Sequence, residues 1–191
     1  MGALPVEKEE RLFTYADYKD WELDEGERFE LIHGEAFAMS SPNTRHQAIL
    51  TEISGQFYNY FQGKPCMVFS APYDVRLFYE EDESDDTVVQ PDILVVCRKE
   101  KLGEEACHGA PDLVVEILSP SNTAIEMQRK LKLYEQAGVQ EYWVVDPKNK
   151  GIMVHNFKEN TIITNTYGNT GTLPSTIFPD LNLFLDKVFT E

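Results

Sequence analysis

Positive charge is scarce in this chain. Only 17 Lys and Arg residues stand against 33 Asp and Glu among 191, a formal charge of −16 at pH 7. Phosphate binding normally leaves a basic footprint, so any nucleic-acid face has to be a local patch, or metal ions have to offset the repulsion. Part of the acidity is concentrated in Glu80 to Thr87 (EEDESDDT), six acids in eight residues, without which the charge is −10. That run is expected to be a solvated loop tip. Long hydrophobic runs are missing too. No segment approaches the roughly 20 apolar residues of a membrane span, and MGALPVEKEERLFTYADY has no secretion leader. Val6 occupies the place where a myristoylation signal has Ser or Thr. The expectation is a soluble, cytoplasmic protein with no membrane partner. Cysteine is limited to Cys66, Cys97 and Cys107, an odd count without metal-ligand spacing, so reduced thiols and no structural zinc are expected. Also absent are a nucleotide-binding glycine loop, a serine elbow and a Cys-His nucleophile pair.

What is present is enough for one core. With 42% hydrophobic residues the chain is expected to form a single domain over 1–191. Thr14 is placed to cap a first helix reaching about Leu23, and RFELIHGEAFAMS reads as two short strands turning at His33-Gly34. Pro42 and Asn43 open a long amphipathic helix to about Phe61, with Ile49, Ile53, Phe57 and Tyr60 at helical spacing. Strands are predicted at 67–70, 73–78, 89–97 and 111–119. A helix over about 122–137, stopped by Gly138, and a strand at 141–145 come next. Shorter strands are expected at 152–157, 161–167 and 183–185. The strand, helix, strand order from Asp112 to Val145 is that of a crossover unit, whereas the hairpins imply antiparallel pieces. The predicted fold is therefore α/β, with a mixed sheet and helices packed on it.

Two carboxylates interrupt apolar strands. Period-two alternation puts Glu116 on one face between Val114 and Leu118, and Asp92 on one face with Leu94 and Val96. A carboxylate in such a layer must be hydrogen-bonded, paired with a cation or bound to metal. If the two strands are neighbours, Asp92 and Glu116 converge in the manner that holds Mg²⁺ or Mn²⁺; otherwise each caps a strand or pairs with an arginine. Lys130 borders the apolar stripe of the following helix on the face of Glu126 and Tyr134, and spacing alone favours a Glu126–Lys130 ion pair worth about 0.3 to 0.5 kcal/mol. Beside two metal-binding acids, the same lysine would orient a water. Glu30 lies between Phe29 and Leu31, where it either completes an acidic cluster or pairs with Arg28 or another cation at a sheet edge. His46, near the start of the long helix, is a candidate to contact a phosphate or to hydrogen-bond a site acid, or else a structural histidine. Asp74 ranks below Asp92 as a ligand.

FELIHGE at 29–35, SPNTRHQ at 41–47, DVRL at 74–77, PDILVV at 91–96, GAPDLVVEILSPS at 109–121 and KLKLYEQAGVQEYWVVDP at 130–147 occur in an order that resembles the Uma-two family of restriction endonuclease-like proteins, within the PD-(D/E)XK nuclease superfamily. The resemblance implies a restriction endonuclease-like α/β/α core and phosphodiester hydrolysis in DNA with Mg²⁺ or Mn²⁺. It casts Asp92 and Glu116 as metal ligands, with the Ile117 carbonyl as a further one. The superfamily lysine normally follows the second acid by two residues, where this chain has Leu118. Lys130 on the next helix takes that part, with Glu30 as an accessory acid. Symmetric duplex cutting would call for a homodimer. Two other readings remain open at this level: an idle nuclease-like domain acting as a dimeric binding module, which the acidity favours, and a metal-dependent hydrolase of small phosphorylated substrates.

Overall fold

The computed structural model describes residues 12–159 and 161–190. The opening residues, read above for leader and myristoylation signals, fall largely outside this range. Thr14 caps α1 (Tyr15–Tyr18), followed by the hairpin β1 (Phe29–Ile32) and β2 (Glu35–Ala38), and by α2 (Thr44–Phe61) with Asn43 as its cap. Next come β3 (Met67–Ser70), β4 (Asp74–Arg76), β5 (Val88–Val89), β6 (Ile93–Val96), β7 (Ala106–His108) and β8 (Leu113–Ile117). Then α3 (Ala124–Ala137) leads to β9 (Glu141–Asp146), β10 (Gly151–Lys158), β11 (Thr161–Tyr167), β12 (Thr172–Pro174), β13 (Asn182–Phe184) and α4 (Leu185–Val188).

Six strands form the central sheet in the order β11-β10-β9-β8-β6-β3. It is mixed as expected: β8 and β9 run parallel through the α3 crossover, and the other pairs are antiparallel. Its two faces carry different cores, because successive strand residues point opposite ways. Ile93, Val95, Leu113, Val115 and Trp143 meet Ile49, Ile53 and Phe57 of α2 on one side. Leu94, Val96, Val114 and Val144 meet Leu133 and Tyr134 of α3 on the other, where the second sheet, β2-β1-β5-β4-β7, adds Ile32, Val75 and Val89. The result is the α/β architecture expected, a mixed sheet held between α2 and α3. Among the described residues no helix is long and apolar enough to cross a membrane.

Local signals set several ends. His33 and Gly34, at φ 50° and 79°, make the two-residue turn of the β1–β2 hairpin, and Gly138 at φ 89° ends α3 in the left-handed region. Other expectations need correction. The first helix stops at Tyr18, because Asp20 and Trp21 bond back to Asp17 and Tyr18 by i to i−3 bonds and Trp21 packs on Phe13, Tyr18 and Phe29. The strand predicted over 89–97 is two strands in two sheets, divided at Gln90-Pro91-Asp92, since proline has no N–H to continue a ladder. The strand at 73–78 contracts to Asp74–Arg76, and that at 111–119 to Leu113–Ile117.

The acidic run is not merely a solvated tip. Asp85 is buried and accepts from Arg76 Nε at 2.9 Å and from Arg76 Nη2, while the Arg76 guanidinium lies 3.8 Å over the Tyr15 ring. Tyr15 N donates to the Asp85 carbonyl, so the loop also anchors α1. An acid at this position neutralises a buried cation, which composition alone does not reveal.

Reduced thiols are likewise corrected. Cys66 and Cys97 form a disulfide, and Cys107 is buried and free. The cause is register: Met67 pairs with Val96, which makes Cys66 and Cys97 opposite one another at the ends of β3 and β6. Thiol titration in denaturant is expected to find one reactive thiol before reduction and three after; three without reductant would contradict the bridge.

Candidate active site

Antiparallel register brings the two strand acids together. Ile93 pairs with Val115, so one step outward Asp92 stands opposite Glu116, with both side chains on the same face. Asp92 Oδ2 accepts from Ile117 N at 2.7 Å and lies 3.2 Å from His46 Nε2. The carboxylate only accepts, so Nε2 carries the proton. His46 Nδ1 is buried and has no hydrogen-bond partner among the described residues. Burial opposes the imidazolium, but the hydrogen bond to Asp92 and the charges of Asp92 and Glu116 carry the His46 pKa above its ordinary value.

Lys130 joins three elements. Its Nζ donates to Glu116 Oε1 at 2.8 Å and to Glu30 Oε1 at 3.0 Å, linking α3 to β8 and β1. The expected Glu126 pair does not form: Glu126 turns back to accept from Thr123 N at 2.7 Å in a capping box. Glu30 does not pair with Arg28 either; its Oε1 also accepts from Gln90 N at 3.1 Å. Burial lowers the Lys130 pKa, but Glu116 and Glu30 outweigh it, so the net shift is upward and the ammonium stays charged. Burial pushes the Glu116 carboxyl up, to about 7, with Lys130 opposing and Glu30 and Asp92 adding to the rise.

Tyr134, one turn after Lys130, donates its hydroxyl to Glu116 Oε1 at 2.6 Å. Burial first, then Glu116 and Glu30, hold its phenol far above the usual range, so it acts as a donor. Its position on the helix face of Lys130 was legible, but its bond across to the sheet was not. Asp74 is outside the constellation: it accepts from Gln90 Nε2 at 2.8 Å and Tyr18 OH at 3.2 Å and does not line the cavity.

The four acids and bases border a cavity of about 690 Å³. Besides Lys130, Arg28 and Arg129 are the Lys and Arg residues that line it among the described residues. Arg76 is committed to Asp85 and Lys64 to the Tyr60 ring. Ser40, Ser119 and Ser121 also line the cavity, with their hydroxyls 2.7 to 3.4 Å apart.

The donor set suits a hard cation. Among the described residues Asp92 Oδ1, Glu116 Oε2 and Glu30 Oε2 accept no hydrogen bond, so each acid keeps one oxygen uncommitted. No group of three or more His, Cys, Asp and Glu among those residues is arranged to hold an ion by itself. Magnesium needs no such cage: one or two carboxylates, waters and a substrate phosphate suffice. Asp92 and Glu116, with Ile117 beside them, fit that pattern.

Comparisons with known proteins identify the family and the fold. The family model described as "Uma2: Putative restriction endonuclease" matches residues 15–186. An uncharacterized protein of Synechocystis sp. is 27% identical over 130 residues, covering 68% of this chain and 66% of that protein, just under two thirds of its length. A second uncharacterized protein of that organism is 24% identical over 139 residues, 71% of this chain and 76% of the other. A solved chain from Anabaena variabilis, described as a "putative nuclease belonging to DUF820", superposes with a TM-score of 0.74 at 20% identity, over 93% of this chain and 97% of that one; the two share a fold.

Proposed function

This chain belongs to the Uma2 family, and we propose that it is a divalent-metal-dependent nuclease that hydrolyses phosphodiester bonds in DNA at the Asp92, Glu116, Lys130 and Glu30 cluster. The observation that carries this reading is Lys130 Nζ, held 2.8 Å and 3.0 Å from two carboxylates while a third, Asp92, stands opposite Glu116. Asp92 and Glu116, with the Ile117 carbonyl, would hold Mg²⁺ or Mn²⁺. The bound ion would polarise the phosphoryl oxygen and lower the pKa of a water. Lys130 supplies a fixed positive charge and a hydrogen-bond donor beside the phosphate. Glu116 and Glu30 favour its protonated form, which suits it to orient the attacking water. Tyr134 and Lys130 both donate to Glu116 Oε1, which leaves Oε2 for the ion. His46 fixes the Asp92 carboxylate through Oδ2, leaving Oδ1.

The test is incubation with supercoiled plasmid and single-stranded circular DNA in Mn²⁺ and in Mg²⁺. Nicking or linearisation is expected in at least one metal and on at least one substrate, abolished by chelator and by Glu116→Gln. No cleavage of either DNA, or cleavage indifferent to Glu116→Gln, would sink the reading in favour of an idle nuclease-like domain.

A further inference from the structure

We propose that the nucleotide at the cleavage position is held unstacked, its base against an apolar wall built beside the acidic cluster, so that the preferred substrate is single-stranded DNA. This rests on the nuclease reading of the same site. Three of the polar groups have an apolar neighbour in the position that secondary structure makes adjacent. Phe37 pairs directly across the β1–β2 hairpin with Glu30, so the two project from one face. Leu118 follows Glu116 by two residues on a backbone still bonded to the sheet through Leu118 N and the Val145 carbonyl, which returns it to the Glu116 face. Met127 precedes Lys130 by one helical turn. All three line the cavity, and all three are half-buried, packing on the core while remaining partly open. Three separate elements therefore repeat one arrangement, an apolar side chain flanking a polar group. Leu118 also occupies the place where the superfamily pattern would put its lysine.

Size and charge identify the occupant. A cavity of about 690 Å³ falls within the roughly 300 to 1,000 Å³ range of sites that enclose a small ligand, the scale of a nucleotide and not of a stacked duplex. The face of a base is flat and apolar, and stacking on an aromatic ring accepts any sequence. The Arg129 guanidinium lies over the Phe37 ring, 4.4 Å from its centre, so on that side the wall offers a base a guanidinium plane backed by an aromatic ring, a surface on which bases also stack. The hydroxyls of Ser40, Ser119 and Ser121 add neutral donors for phosphate. Duplex binding typically recruits Lys and Arg along the phosphates of both strands, whereas Arg28, Arg129 and the committed Lys130, the Lys and Arg that line the cavity among the described residues, offer positive charge for a short stretch of one strand.

The experiment is fluorescence anisotropy with Ca²⁺ in place of Mg²⁺, using a short labelled single strand, its blunt duplex and an abasic strand of equal length. The single strand is expected to bind at least tenfold tighter than the duplex and about tenfold tighter than the abasic strand. Phe37→Ala should weaken binding of the single strand more than that of the abasic strand, removing most of the preference for bases, and Phe37→Tyr should retain it. A merely structural role for Phe37 predicts equal losses for all three probes and would overturn the inference, as would duplex binding as tight as single-strand binding, or no binding at all. Cleavage of plasmid without single-strand preference overturns this inference and leaves the nuclease reading standing. Single-strand binding with no cleavage in either metal does the reverse.

Discussion

Replacing Lys130 with methionine is expected to lower cleavage on the order of 10³-fold and to destabilise the fold by about 3 kcal/mol. Both effects arise from one atom. Nζ is the only cation hydrogen-bonded to Glu116 and Glu30 among the described residues, and it ties α3 to a strand in each sheet. Removing one partner of a buried ionic group typically costs about 3 to 5 kcal/mol, because the charges left behind remain desolvated. With 19% of the Lys130 side chain open to solvent, the lower end applies. The two carboxylates would then face each other uncompensated, and Glu116, already pushed up to about 7, would lose the influence that lowers it. Loss of a fixed donor aimed at developing charge commonly costs 10² to 10³ in rate, and loss of the carboxylate arrangement adds to that. Lys130→Arg should not restore the rate, since a planar fork does not reproduce a compact ammonium between two single oxygens. Plasmid cleavage and urea denaturation of the same preparations check both halves. Wild-type cleavage by Lys130→Met would remove this residue from the chemistry.

How much of this site was legible follows from which distances are local in sequence. Alternation within a strand placed Asp92 and Glu116 each on an apolar face, because period two is a property of adjacent residues. That they stand opposite one another depends on the pairing of Ile93 with Val115, a contact between segments more than 20 residues apart. The same non-local register aligned Cys66 with Cys97, which is why counting cysteines pointed to free thiols. Lys130 shows the limit most clearly. Helical spacing offered Glu126 as its partner, yet Glu126 is worth more as a cap for the helix start, and Lys130 instead neutralises acids that the fold delivers from elsewhere. Helix ends were legible where a capping residue acts on its own neighbours, as Thr14 and Asn43 do at the start of helices and Gly138 at the end of α3. The first helix was overextended because Tyr15, Tyr18 and Trp21 have a spacing of three, which suits an aromatic cluster on a tightening turn as well as a helix face.

Glu141→Ala is expected to destabilise the protein by about 2 to 4 kcal/mol without changing the cleavage rate of the folded fraction. Glu141 opens β9 and is fully buried, yet it has no cationic partner among its hydrogen bonds. Its charge is instead held by donors: Trp143 Nε1 at 2.5 Å on Oε1, and Thr176 N and Oγ1 at 2.8 Å with Ser175 Oγ and Ile177 N at 3.2 Å on Oε2. Ser175, Thr176 and Ile177 lie between β12 and β13, so the carboxylate docks the C-terminal segment, whose Leu173, Leu181, Leu183 and Leu185 complete the core beneath α2. Alanine would strand the Trp143 Nε1–H and the Thr176 N–H, which cannot rotate away and are each worth about 1 to 3 kcal/mol when buried and unpaired, whereas Ile177 N keeps Ser175 Oγ at 3.3 Å. Partial hydration keeps the total near the lower half of that sum. For a chain of this size the midpoint of thermal unfolding should fall by roughly 10 °C. Glu141→Gln should lose much less, since its amide can turn the oxygen toward the four Oε2 donors and leave only Trp143 Nε1 opposed. Glu141 does not line the cavity, so its loss leaves the acidic cluster in place. Urea unfolding of both variants measures the difference. A loss below about 1 kcal/mol for the alanine variant would mean that water replaces the carboxylate and that the C-terminal segment docks by its apolar contacts alone.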